Sequence, residues 1–116
     1  MTKHKIVLIP FPFDDLSANK VRPAVCLTNP VGPYQHVVLA FITSKTPDIL
    51  LETDIILDSN TSDFQMTGLK VTSTIRLHRL MTVTTTLFLR QLGELSPEMR
   101  SRVKEQLAML FGLDGG

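Results

Sequence analysis

Three prolines constrain the N-terminal quarter of this chain more than any other residues. Pro10, Pro12 and Pro23 punctuate two short apolar runs, Ile6-Val7-Leu8-Ile9 and Ala24-Val25-Cys26-Leu27. Proline lacks an amide donor and clashes with the preceding helical turn, which argues against helix here. Short apolar runs bounded by turn residues fit buried strands, although periodicity alone does not separate them from short buried helices. The stretch from Ile6 to Asn29 therefore reads as two strands joined by a polar loop, Asp14 to Lys20. Val21-Arg22-Pro23 leads into the second strand. Arg22, at the mouth of that strand, is either a surface charge or an anion-binding group.

The rest of the chain continues in short segments. Asn29-Pro30-Val31-Gly32-Pro33 is a turn. Val37 to Ile42 is apolar throughout and reads as a central third strand, ending at Thr43-Ser44-Lys45-Thr46-Pro47. Glu52 to Leu57 is a fourth strand, and Asp58 to Gly68 is polar and turn-rich, either a surface loop or a mobile flap. From Val71 to His78 the pattern alternates: Val71, Ser73, Ile75 and Leu77 face one way, Thr72, Thr74, Arg76 and His78 the other. Arg76 and His78 are then expected side by side, roughly 7 Å apart along the strand. Thr84 to Phe88 suits a helical turn and Leu89 to Leu95 a last strand.

The closing segment is helical by its signals. Ser96 is a good N-cap, Pro97 suits the first helical position, and Glu98 favours the positive end of the helix dipole. Met99, Val103, Leu107, Leu110 and Phe111 recur at helical spacing and are expected to pack into the core, with Gly112 as the stop. Six or seven short strands and one helix predict a mostly β (α+β) fold, a compact antiparallel barrel with a helix against it. At 116 residues the whole chain, 1–116, reads as one domain.

Composition narrows the function classes. No apolar run approaches the roughly 20 residues that cross a bilayer, so no membrane association is expected. Lysines before a short apolar run resemble a leader, but a strand interrupted by prolines accounts for them better. Cys26 is the sole cysteine, which points to a packed thiol and a reducing, cytoplasmic setting. The net charge of +1 means that any binding to nucleic acid must use a local patch. His4, His36 and His78 lack the paired spacing of zinc ligands, glycines form no phosphate cradle, and no nucleophile elbow occurs. No metal site or cofactor is expected. Asp14 and Asp15 are adjacent on a polar loop, where carboxylates more often form turns than an acid/base pair.

The ordered segments FPF-DDL-SANK-VRPAVCLTN, FITSK (41–45), IRLHRL (75–80) and LGELSPEMRSRVKEQLAMLFGL resemble the MazF/PemK family, toxins of type II toxin–antitoxin modules. The resemblance spans nearly the whole chain. It implies an SH3-like barrel with a C-terminal helix, a homodimer, a cognate antitoxin and a metal-independent endoribonuclease acting on single-stranded RNA. Such a reaction needs a base for the 2′-OH, a cation for the phosphate and an acid for the departing 5′-oxygen. By resemblance, Arg22 is the acid or phosphate clamp, Thr43 hydrogen-bonds the scissile phosphate or the 2′-oxygen, and Arg76 matches a second catalytic arginine. From the residues alone, Thr43 is a strand-end cap. Asn19, Lys20, Ser44 and Lys45 are expected to contact RNA.

The chain departs from the family pattern in three places. His78 stands where relatives carry an aspartate, so it either replaces that base, contacts RNA, or leaves the base missing. The loop at 14–20 lacks the Gly-rich form of many relatives, and His4-Lys5 replaces an acidic residue before the first strand. Two other readings follow: a catalytically decayed binding module, and a gyrase-binding toxin of the CcdB-like kind that shares the fold.

Overall fold

The computed structural model describes residues 1–10 and 20–113. Six strands and one helix follow in chain order: β1 (Lys5–Pro10), β2 (Val21–Cys26), β3 (His36–Thr43), β4 (Asp54–Leu57), β5 (Ser73–Thr84), β6 (Arg90–Glu94) and α1 (Pro97–Leu110). The strands form a single antiparallel sheet in the order β4-β5-β3-β2-β1-β6. The sheet curls into a half-barrel with β4 and β6 at its edges, the small β architecture expected from the short strands.

Why the central strands read as unbroken apolar runs is clear from β2. Val25 and the following Leu27 join Ile6, Ile42, Ile75 and Met99 in one buried cluster. Ala24 and Cys26, the alternate positions, join Ile9, Leu39, Phe41 and Val83 in another. Both faces of the sheet centre are covered, so alternation disappears from the sequence.

The helix starts as its signals require. The Ser96 hydroxyl accepts the Met99 amide at 3.2 Å and Pro97 occupies the first turn. Gly112 takes the left-handed conformation just past the end. Met99 and Val103 are buried, each contributing about 1.5–3 kcal/mol of apolar burial. The expected stripe, however, is core only in part. Leu107 and Leu110 are half-buried against the cluster, and Phe111 is 58% exposed because the helix runs past the last side chains of the core.

Two other expectations are refined. The segment 58–68 is a surface loop that also contains a 3-10 turn, Phe64–Thr67, whose Phe64 and Thr67 are buried. Asp63 accepts a hydrogen bond from the Ser96 hydroxyl, which ties the turn to the start of α1. Opposite it, Gly68 and Gly93 permit a close approach to β6. A Cβ on Gly68 would lie 2.0 Å from the Leu92 carbonyl oxygen, and one on Gly93 would lie 2.2 Å from that of Met66.

The second change concerns β5, which begins after an exposed Val71 and runs on to Thr84. It is bent. Ala40 pairs with Leu80 and Ile42 with Ile75, so β3 advances two residues while β5 advances five, giving three extra residues on β5. The two-face reading holds for Ser73, Ile75, Leu77 and His78 but not for Thr74, which is buried like its neighbour Ile75. Bulges of this kind re-aim side chains, and this one governs the site.

Candidate active site

A cleft of about 290 Å³ opens where β2, β3 and β5 meet the loop after β3. Strand register brings its parts together. Ala24 pairs with Phe41, and continuing that register two residues places Arg22 opposite Thr43. Thr43 in turn pairs with Thr74 on β5, two residues before Arg76. Arg22, Thr43, Lys45, Asp48, Arg76 and Arg79 all line the cleft. Among the described residues, four cations and one carboxylate thus share one small surface on a chain of net charge +1.

Arg76 is held from behind. Its Nε lies 2.9 Å from Oδ1 of Asp54, directly across the β4–β5 pairing. The Asp54 side chain is 1% exposed, and its Oδ2 accepts the Leu51 amide at 2.8 Å. Arg76 also lines the cleft, where a guanidinium is the group suited to phosphate oxygens.

Thr43 closes a local turn. Its hydroxyl oxygen accepts the Lys45 amide at 3.1 Å. The strand-end cap read from the residues is therefore present, and the same side chain also lines the cleft.

Other sequence candidates fall elsewhere. His78 is exposed and does not line the cleft. β4 starts its pairing at Asp54 opposite Arg76, so His78 lies beyond the paired span and inside the bulge. Leu77 is buried between a half-buried Arg76 and an exposed His78, as the alternation expects, but it is Arg79 and not His78 that lines the cleft with Arg76. Lys20 and Ser44 are exposed and outside the lining. Asn19, with the loop from Asp14, lies outside the described residues.

Arg79, Asp48 and Asp54 were not singled out by sequence reasoning. IRLHRL contains Arg79, but only the three-residue bulge turns it toward the cleft. Asp54 sits at the first position of a strand, where nothing local reveals its partner 22 residues away.

A family model for the PemK-like, MazF-like toxins of type II toxin–antitoxin systems matches residues 2–111. The chain belongs to the PemK-like, MazF-like toxin family. No curated protein matches this PemK-like chain significantly. Among solved structures it is similar to the Mycobacterium tuberculosis toxin MazF-mt6, at 23% identity, a TM-score of 0.71 and coverage of 95% of this chain and 98% of that one. It is also similar to a mycobacterial endoribonuclease in complex with its cognate antitoxin, at 19% identity, a TM-score of 0.68 and coverage of 97% and 96%. A further mycobacterial endoribonuclease shares 16% identity at a TM-score of 0.63, with coverage of 95% and 90%. At these identities the likeness is one of fold.

Elsewhere in this PemK-like chain the ionisable groups serve structure. Burial pushes the Cys26 thiol up to about 11, so it is an inert core group. Glu94 is held below the usual carboxylate range by its hydrogen bond and ion pair with Lys5, supported by Arg100. Among the described residues no group of His, Cys, Asp and Glu could hold a metal ion, and no helix is long and apolar enough to cross a membrane.

Proposed function

We propose that the protein is an endoribonuclease toxin that cleaves single-stranded RNA by attack of a 2′-hydroxyl on the adjacent phosphate. The observation that carries this reading is the convergence of Arg22, Thr43, Lys45 and Arg76 in one cationic cleft. RNA offers the cleft a polyanion, and its 2′-OH supplies the nucleophile that DNA lacks. Unpaired RNA suits the cleft better than an A-form helix, because attack in line with the departing oxygen needs a backbone free to rotate.

Arg22 and Arg76 clamp the non-bridging oxygens and stabilise the charge that builds there in the transition state. A guanidinium loses a proton only above about pH 12, so clamping suits Arg22 better than acid catalysis. The 5′-oxygen leaves with a proton from a water polarised by the arginines. Thr43 donates to the phosphate, and Lys45 contacts the phosphate beside it. His78, Lys20 and Ser44 meet the RNA outside the cleft. Four cations and one carboxylate repel a divalent metal more than they ligate it, so the chemistry runs without one.

The products are a 2′,3′-cyclic phosphate and a 5′-hydroxyl. A family of toxin–antitoxin modules implies an antitoxin partner, and the cationic cleft suits an acidic antitoxin segment laid over it. The toxin works as a homodimer in the cytoplasm, where its RNA and a reduced Cys26 are found together. Inducing the wild type and Arg22→Ala in cells tests the reading. Growth arrest by the wild type and none by an equally abundant, folded Arg22→Ala supports it; equal toxicity overturns it.

A further inference from the structure

We infer that Asp48 is the general base of this cleft. The inference rests on the reading of the cleft as an RNA-cleaving site and supplies the one group which that reading lacks. Transfer of the 2′-OH proton needs an acceptor within hydrogen-bond reach of the sugar. Arginine and lysine hold protons at neutral pH and cannot serve. His78 lies outside the lining, in the β5 bulge. Asp54 is buried behind Arg76, with Oδ1 in ion-pair contact with that guanidinium, though not aligned as a hydrogen bond, and Oδ2 accepting the Leu51 amide, and it does not line the cleft. Asp48 remains: among the described residues it is the one carboxylate that lines the cleft, and it is exposed.

Its position is set from both ends of its loop. At one end the Thr43 hydroxyl binds the Lys45 amide. At the other, the Gln106 amide group donates to the Glu52 carbonyl, and the Asp54 amide to that of Leu51 at 3.0 Å. Pro47, whose ring fixes φ, precedes Asp48 and lines the same cleft. The loop, held at both ends, thus brings a carboxylate onto the surface where Arg22, Lys45, Arg76 and Arg79 lie.

The step balances as a transesterification. The Asp48 carboxylate takes the 2′-OH proton while the 2′-oxygen bonds to phosphorus. The bond from phosphorus to the 5′-oxygen breaks, and that oxygen takes a proton from water. The hydroxide left behind takes the proton from Asp48, which restores the site with no net consumption of water.

The test uses the full-length protein on an RNA whose wild-type cut has been mapped, with a copy carrying a single 2′-deoxy nucleotide at the cut as a binding probe. Asp48→Asn is expected to slow single-turnover cleavage by about 100-fold or more and to bind the 2′-deoxy probe at least as tightly as wild type. Asp48→Glu is expected to recover part of the rate. Cleavage by Asp48→Asn within about threefold of wild type overturns the inference and leaves the nuclease reading standing. Loss of binding in parallel with cleavage also overturns it, because Asp48 would then position RNA and not take its proton. A wild type that cuts no RNA overturns both.

Discussion

Arg76 and Asp54 face one another across β5 and β4 with Nε 2.9 Å from Oδ1, the carboxylate buried and the guanidinium 22% exposed. The pair joins stability to function: the edge strand β4 supplies the charge that fixes a cleft arginine. Removing one partner of a buried pair leaves an uncompensated charge. Asp54→Ala is expected to cost about 3 kcal/mol, at the lower end of the range for buried pairs because Arg76 is partly solvated. A urea titration measures it. The double variant Asp54→Ala/Arg76→Ala should be less destabilised than the two single losses added together, since no orphan charge remains.

The contact between the 3-10 turn and β6 depends on two hydrogens in place of side chains. Gly93→Ala puts a methyl group 2.2 Å from the Met66 carbonyl oxygen, where the obstacle is backbone on both sides. A loss of about 1–3 kcal/mol is expected, as for overpacked sites. Gly32→Ala is the control: its φ is +75°, but no atom lies within 4 Å of the added Cβ, so only the left-handed penalty of about 1–2 kcal/mol applies. Thermal melts of the two variants separate clash from conformational strain.

His4 makes stability depend on pH. Burial first, and then the positive charges of Arg100 and Lys3, hold its imidazole below the ordinary 6.5. Its Nδ1 is buried without a hydrogen-bond partner among the described residues. The unfolded chain therefore takes up this proton before the folded one as pH falls. The His4 contribution is complete above about pH 6.5 and is lost as the pH drops from there through the lower folded value. His4→Asn, which tolerates the positive φ of 75° at this position, should flatten that decline in denaturant midpoints measured between about pH 7.5 and 5.

Cys26 offers a probe of global opening. Its side chain is fully buried and its thiol is raised to about 11, so the folded protein should not react with a thiol reagent at neutral pH. Labelling should appear only across the denaturant transition. Rapid labelling of the native protein would contradict the placement of β2 at the sheet centre.

The fold was legible where the signal is local. Pro10 marked the end of β1, Pro23 lies inside β2 opposite Leu8, a continuous apolar run marked β3, and Ser96-Pro97 marked the start of α1. Arg22, Thr43 and Arg76 came from the family resemblance, and strand register then brought them to one cleft. What failed was the extrapolation of local period over distance. Alternation holds from Ile75 to His78, but it does not reach past the three extra residues on β5, where Arg79 lines the cleft with Arg76. Asp54 was unreadable as a partner of Arg76 because only β-pairing joins them. Phe111 fitted the helical stripe, but periodicity does not say where the core beneath a helix ends.

The most direct measurement incubates the purified protein with a long defined RNA in excess EDTA beside Arg22→Ala, and analyses the ends of any fragments. Wild-type cleavage leaving 2′,3′-cyclic phosphate and 5′-hydroxyl ends, with none by a folded Arg22→Ala, is the predicted result. Intact RNA across varied sequences, or equal cutting by the variant, would contradict the assignment of the arginine cleft as a metal-independent ribonuclease site.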